Sequence, residues 1–322
     1  MGLHKKAYYN LLRFQFLEGK KSHSANWQVE NLQDFSLQDL FQKINKLGVE
    51  MNSEIFGYMA QEFASPEEMM LKLTSDLKND KKEDEFYLLI FEIWKRILPE
   101  KVSLSIFCDE LDHNLFAYEK RSLENDEKVQ ALLANLEALL DENVDEGLDP
   151  TDAFETLTEY CAYDVSSFIY DYILEQIDTD NKNYALELLE GFYPYVKKNR
   201  WFSLLCLELC DDPYQIKNLI AGLIESFRRD PDIDFGLEFL KVMIGKASQD
   251  QLFSLISLIL NQKPEKEHLI ELVSSSCDFF RRKDNEKAEK SLSQLLHRIT
   301  SSQPYARRDM IVKEFSTLLQ SI

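Results

Sequence analysis

Apolar residues recur along this chain at helical spacing and almost never alternate. Val129, Leu132, Leu133, Leu136, Leu139 and Leu140 fall at i, i+3, i+4, i+7, i+10 and i+11, one face of a helix. Ile216, Leu219, Ile220, Leu223, Ile224 and Phe227 do the same over three turns, as do Ala185, Leu188, Leu189, Phe192 and Val196. Strand-like alternation is absent over any useful length. The pattern predicts helices at 3–18, 36–47, 53–63, 66–78, 84–97, 103–121, 126–141, 151–161, 164–177, 182–196, 200–210, 214–229, 232–245, 249–261, 265–281, 284–300 and 305–320. Residues 19–35 lack periodicity and read as a loop that packs Trp27.

Proline punctuates this pattern. Ser65-Pro66-Glu67-Glu68 reads as an N-cap, a Pro at the first helical position and acids in the first turn. Pro150, Pro213, Pro231 and Pro264 mark further boundaries. Pro194 lies inside the 182–196 pattern and is expected to kink that helix or end it early. In the second half, helix pairs begin near 164, 200, 232 and 265, steps of 36, 32 and 33 residues. Two helices per thirty-odd residues is the length signature of helical hairpins that stack, although residue identities do not repeat. The expected fold is therefore all-α, with stacked antiparallel helix pairs in an α-solenoid-like array or an irregular bundle. The 249–260 helix is apolar nearly all round, which predicts a central, buried position. The sharpest shift in composition, Asn143–Asp149, suggests an N-terminal helical part, 1–142, and a C-terminal helix-pair array, 150–322, unless the two form one continuous domain.

Composition supports few long elements with short connections. The 322 residues include only nine Gly and eight Pro, too few turn formers for a β-rich chain of this length. The longest apolar run, Leu252–Leu260, contains Ser254 and Ser257 and is far short of a membrane span. No apolar leader core follows Met1–Lys6, and Lys6 stands where a myristoylation pattern has Ser or Thr. Five cysteines (Cys108, Cys161, Cys206, Cys210, Cys277) suit free thiols in a reducing cytoplasm.

Charge changes the picture more. The net charge is −20, and Asp109–Glu190 holds 23 acids against four bases, a local net of −19. Residues 191–322 are almost balanced, with 18 acids and 19 bases. Such a surface repels phosphates, so nucleic acid is not an expected partner. It favours a protein partner with a basic surface.

Chemical motifs are sparse. Glu110-Leu111-Asp112-His113 contains Glu-x-x-His, the helix spacing of di-iron carboxylate bundles. That chemistry needs a second copy and two further Glu; Glu265-Lys266-Glu267-His268 repeats the spacing, at the start of the 265–281 helix. A metal or small-molecule enzyme centred on Glu110 and His113 is thus the alternative to a solvated acidic helix face. Cys206 and Cys210, at i and i+4, lack the further ligands of a zinc site and read as core thiols. No phosphate loop, nucleophile elbow or cofactor motif is present, so neither a cofactor nor catalysis is expected. The segment Tyr160–Tyr172 sets aromatics among carboxylates. Tyr163 and Tyr170, seven apart and flanked by Asp164 and Asp171, are expected to share a helix face and serve as anchors for a partner. Asp141, Glu142, Asp145 and Glu146 complete this candidate surface.

One arrangement resembles a known family. An amphipathic helix from Lys128, the turn Glu146-Gly147-Leu148, a short helix opened by Asp152, several helix pairs and a final helix with Arg308, Phe315, Leu318 and Leu319 are similar in outline to the type III secretion gatekeepers. The resemblance implies an acidic helical regulator that holds back effector export. It departs in having helical signal almost from Leu3, where gatekeepers carry a Ser- and Gln-rich segment. Asn26–Glu30 and Leu98–Ser103 also resemble phrases in uncharacterised helical proteins of intracellular bacteria, which implies a bacterial origin but no function. The function expected from the residues is a non-enzymatic protein–protein interaction through an acidic helical surface. Partner identity and oligomeric state are not legible.

Overall fold

A computed structural model describes residues 4–20, 24–73, 80–120, 127–301 and 308–322. Among these residues there are eighteen α-helices and no strands. They are α1 (Lys5–Leu17), α2 (Asn26–Val29), α3 (Leu37–Lys46), α4 (Ser53–Met59), α5 (Pro66–Leu73), α6 (Asp80–Ile97), α7 (Leu104–Glu119), α8 (Glu127–Asp145) and α9 (Pro150–Thr158). Then follow α10 (Val165–Asp178), α11 (Lys182–Val196), α12 (Arg200–Leu209), α13 (Pro213–Arg229), α14 (Ile233–Met243), α15 (Gln249–Asn261), α16 (Lys266–Arg282), α17 (Glu286–Ser301) and α18 (Arg308–Ser321). No helix is long and apolar enough to cross a membrane among the described residues.

The chain gathers into two compact units, Met1–Ile169 and Tyr170–Ile322. The division falls within α10 and not at 143–149. There, Gly147 turns the chain sharply and α9 packs back on α8, so the stretch is a tight connection inside one unit.

In the N-terminal unit, α6 supplies the densest core. Phe86, Tyr87, Leu89, Ile90, Phe91, Ile93 and Trp94 are all almost inaccessible, with Leu40, Ile44, Phe56 and Met69 packed about them. Burying aromatic and branched side chains in this way contributes about 1.5–3 kcal/mol each. The loop expected at 19–35 differs. Asn26–Val29 forms one short helix and Leu32–Asp34 a 3₁₀ turn. Trp27 does pack, its ring 5.8 Å from Tyr9. Arg96 holds the turn by donating to the carbonyls of Phe35 (2.7 Å) and Leu32 (2.9 Å).

In the C-terminal unit the expected helix pairs are present. α12 packs on α14 and α14 on α16, while α13 packs on α15, so first and second helices of successive pairs form separate layers. Gly236 of α14 permits the closest approach. A Cβ there would lie 2.7 Å from Phe227 and 3.0 Å from Ile259. α15 buries Leu252, Leu255, Ile256 and Ile259 but leaves Ser257 exposed, so its burial is incomplete. Pro194 does not end α11, which runs on to Val196. Pro150 and Pro213 open α9 and α13 at the first helical position. Pro231 and Pro264 stand one residue outside the caps Asp232 and Glu265.

Candidate functional site

The acidic surface is built by α8, its C-terminal turn and α9. Val129, Leu132, Leu133, Leu136 and Leu140 bury one side of α8, which leaves Asp141, Glu142, Asp145 and Glu146 exposed. The turn is a Schellman motif. Leu148 N–H donates to Asn143 O (3.1 Å) and Gly147 N–H to Val144 O (2.9 Å), with Gly147 at φ +105°. Only glycine takes that φ without strain. Asp149 then caps α9 by accepting from Thr151 N–H at 3.0 Å, and Pro150 occupies the first helical position. Asp152 and Glu155 lie exposed on α9.

Two facts make this surface unusual. From Val129 to Asn181 there is no Lys, Arg or His. Among the described residues no cation pairs with Glu142, Asp145, Glu146, Asp152 or Glu155. A helix C-terminus carries the negative end of the backbone dipole, so carboxylates there cost about 0.3–1 kcal/mol each. Acids at Asp149 and Asp152 suit a helix N-terminus, but those ending α8 do not.

The expected aromatic anchors are placed differently. Asp164 is the N-cap of α10: its carboxylate accepts from Ser167 N–H (3.0 Å) and Ser167 Oγ–H (2.8 Å). Tyr163 therefore precedes the helix and shares no helical face with Tyr170. Its ring lies 5.4 Å from Phe14, and its hydroxyl donates to Glu119 at 3.1 Å. Burial and the neighbouring Glu119 push its phenol pKa up. Tyr170 is set edge-on to Trp201 (5.8 Å) and Phe202 (6.0 Å). Burial, then Glu238, push its pKa up to about 12. Both rings are half-buried, while Asp164 and Asp171 are exposed.

Glu110 and His113 are not brought together. Glu110 is exposed, whereas His113 turns inward, its ring 5.5 Å from Phe14 and its Nδ1 2.7 Å from the Asp109 carbonyl oxygen. Burial lowers the His113 pKa, so at neutral pH the ring is uncharged and Nδ1–H is the donor. Among the described residues no three His, Cys, Asp or Glu are placed to hold a metal.

Periodicity did not reveal the buried charge centre beside them. Asp109 and Asp112, expected on a solvated face, are 2% and 0% exposed. The Asp109 carboxylate accepts from Lys6 Nζ (2.6 Å), Lys95 Nζ and Asn10 Nδ2 (3.0 Å). Burial pushes its pKa up, but the two ammonium groups overcome this and hold it well below the carboxylate range. Among the described residues Asp112 has no ion-pair partner. It accepts from the N–H groups of Ala162 (2.9 Å) and Tyr163 (3.1 Å) and from Asn10 Nδ2 (3.1 Å), and burial raises it to about 6. The cavity alongside, lined by Arg13, Glu30, Glu92 and His113, measures about 40 Å³. That is room for a few waters. Asp109 has its oxygens committed to α1 and α6, and Asp112 pins the 160–163 turn to α7. The centre is a clasp between elements distant in sequence.

Comparison with family models, curated proteins and solved structures finds no match to this chain.

Proposed function

We propose that this is a non-enzymatic cytoplasmic binding protein that recruits a protein with a basic surface through the C-terminal end of α8 and the start of α9. The observation that carries the reading is the exposed Glu142, Asp145 and Glu146, which have no ion-pair partner among the described residues and are held beside a tight turn, at a helix end where they cost stability. Charge maintained against the local dipole favours an intermolecular role over a structural one. A field of one sign speeds encounter with an oppositely charged partner and repels nucleic acid. Asp141, Glu142, Asp145 and Glu146 form the centre of the surface; Asp164 and Asp171 extend the acidic segment. Tyr163 and Tyr170 contribute as supports more than as anchors, since their rings are engaged with neighbours.

The test is the association rate with a Lys- and Arg-rich helical peptide at low and at physiological salt. The expected result is at least a roughly tenfold fall as screening shortens the field's reach to about 8 Å. Reversing Asp141, Glu142, Asp145 and Glu146 to Lys should abolish the salt dependence. A rate indifferent to both would leave solubility as the only role of the charge.

A further inference from the structure

The C-terminal unit carries a second feature, with a different chemistry. α11, α12 and α13 run as three neighbours, α12 packed against both. They enclose an open trough of about 680 Å³ at one end and about 540 Å³ at the other. The two ends share Tyr193, Cys206, Cys210 and Gln215, so the trough is continuous. Its floor is apolar, from Leu189, Leu209, Leu219 and Leu223. Its walls are small. Ser203 and Cys206 of α12 and Cys210 just beyond its end form one wall, and Asn218, Gly222 and Ser226 of α13 the other. A Cβ at Gly222 would meet nothing within 4 Å. α12 has ten residues, about 15 Å of helix, so the trough accommodates about three helical turns.

The ends differ in sign. Lys197, Lys198 and Arg200 stand where α11 ends and α12 begins; Glu190, Asp211 and Asp212 stand at the opposite end. Arg200 is engaged with Asp232 at 3.0 Å and with the ring of Phe235, and Asp212 caps α13. Among the described residues, Lys197, Lys198, Glu190 and Asp211 have no ion-pair partner. The hydroxyls of Tyr193 and Ser203 and the amide of Asn218 have no hydrogen-bond partner there either. Some exposed charges elsewhere in this unit are neutralised locally, as in Arg228–Glu225, Lys241–Glu271 and Arg281–Glu289. The trough leaves both signs open, at opposite ends of an apolar floor.

We propose that the trough docks one amphipathic helix of a partner protein, about three turns long. Its inserted face carries small and apolar side chains. Acids at one end meet Lys197 and Lys198, and Lys or Arg at the other meets Glu190 and Asp211. Helix-in-groove recognition takes its affinity from the apolar face and its register from the charged ends. This site lies in the other unit from the α8 surface and stands or falls without it.

The test uses three fluorescent helical peptides of about 14 residues with one common Leu/Ala face. One has acids at one end and bases at the other, one is acidic throughout, and one is basic throughout. The bipolar peptide should bind about tenfold tighter than either uniform peptide. Lys197→Glu with Lys198→Glu should erase that preference. Adding Glu190→Lys and Asp211→Lys should restore it, because the peptide then docks reversed. Gly222→Trp fills open space, so it should block binding while the thermal midpoint holds. Reversing the α8 carboxylates should leave the bipolar preference unchanged. Equal or absent binding of the three peptides, failure of the swapped variant to regain affinity, or self-association of the protein through this face would overturn the proposal.

Discussion

Asp109 in the N-terminal unit and Phe227 in the C-terminal unit are both almost inaccessible, at 2% and 0% exposure. Each organises its surroundings by a different force. Around Asp109, two lysines, an asparagine and a histidine converge from α1, α6 and α7. Around Phe227, the neighbours are hydrocarbon, and the only buried polar residues described in that unit are Gln176, Ser275 and Ser276. Particular helix ends differ as well. Two helices of the C-terminal unit follow the dipole closely, with Glu267 opening and Arg281 and Arg282 closing α16, and Glu286 opening and Arg298 closing α17. α8 closes on acids and has no base in its last turn. One unit is held together by shape. The other also uses charge inside, and ends a surface helix on acids.

This contrast can be broken at four points. The largest effect is expected from Phe227→Ala, a cavity costing about 4 kcal/mol. In denaturant, Trp201 should report early unfolding while Trp27 and Trp94, in the other unit, keep their midpoint. Next, Asp109→Ala should cost about 3 kcal/mol, seen by Trp94, because it strands two ammonium groups. The figure is at the low end because the Lys6 and Lys95 side chains keep 17% and 21% exposure. Replacing all three together, as Lys6→Met, Asp109→Leu and Lys95→Met, should cost less than Asp109→Ala alone. If it costs more, the clasp is a net stabiliser and not only a matched set.

The third test is pH. Asp112 is raised to about 6 from 3.8, so its protonation favours the folded state. Its contribution is fully present below pH 3.8 and is lost as pH rises through 6. Asp109 is depressed, so its contribution holds above pH 3.8 and is lost in stronger acid. The lowered His113 also loses its contribution on acidification, below pH 6.5. The difference between wild type and Asp112→Asn isolates one group. It should shift in favour of wild type by on the order of 2 kcal/mol as pH falls from about 7 to 4. The smallest effect is on the outer face. Asp145→Lys should stabilise the N-terminal unit by about 0.5 kcal/mol through the α8 dipole, while slowing association with the basic peptide. Stabilisation and loss of binding from one substitution would mark a charge kept for use.

Much of the architecture follows from periodicity alone. α8, α11 and α13 begin and end within a few residues of their apolar stripes, because burial of one face decides each of them. The Gly147 turn was legible as Glu-Gly-Leu after such a stripe. The four-residue α2 was not, since one turn is too short to show a period. Tyr163 and Tyr170 were seven apart on paper, but Asp164 caps the helix between them. Asp109 and Asp112 looked like surface because their partners Lys6 and Asn10 lie about a hundred residues earlier in the chain. Pairing at that distance leaves no local signature. The trough was hidden for a related reason: its lining comes from three helices, each of which reads alone as ordinary.

The cysteines turn these distinctions into a chemical clock. Cys108 and Cys161 are both buried, and their thiols both reach the carbonyl of Leu157, at 3.8 and 3.9 Å. An alkylating reagent can reach that pair only when the N-terminal unit opens. Cys206 and Cys210 are half-exposed along the trough, and burial holds the Cys206 thiol at about 11. They should label slowly in the native state, and more slowly still with a helix seated over them. One time course, resolved by peptide mass, therefore separates breathing of one unit from occupancy of the other.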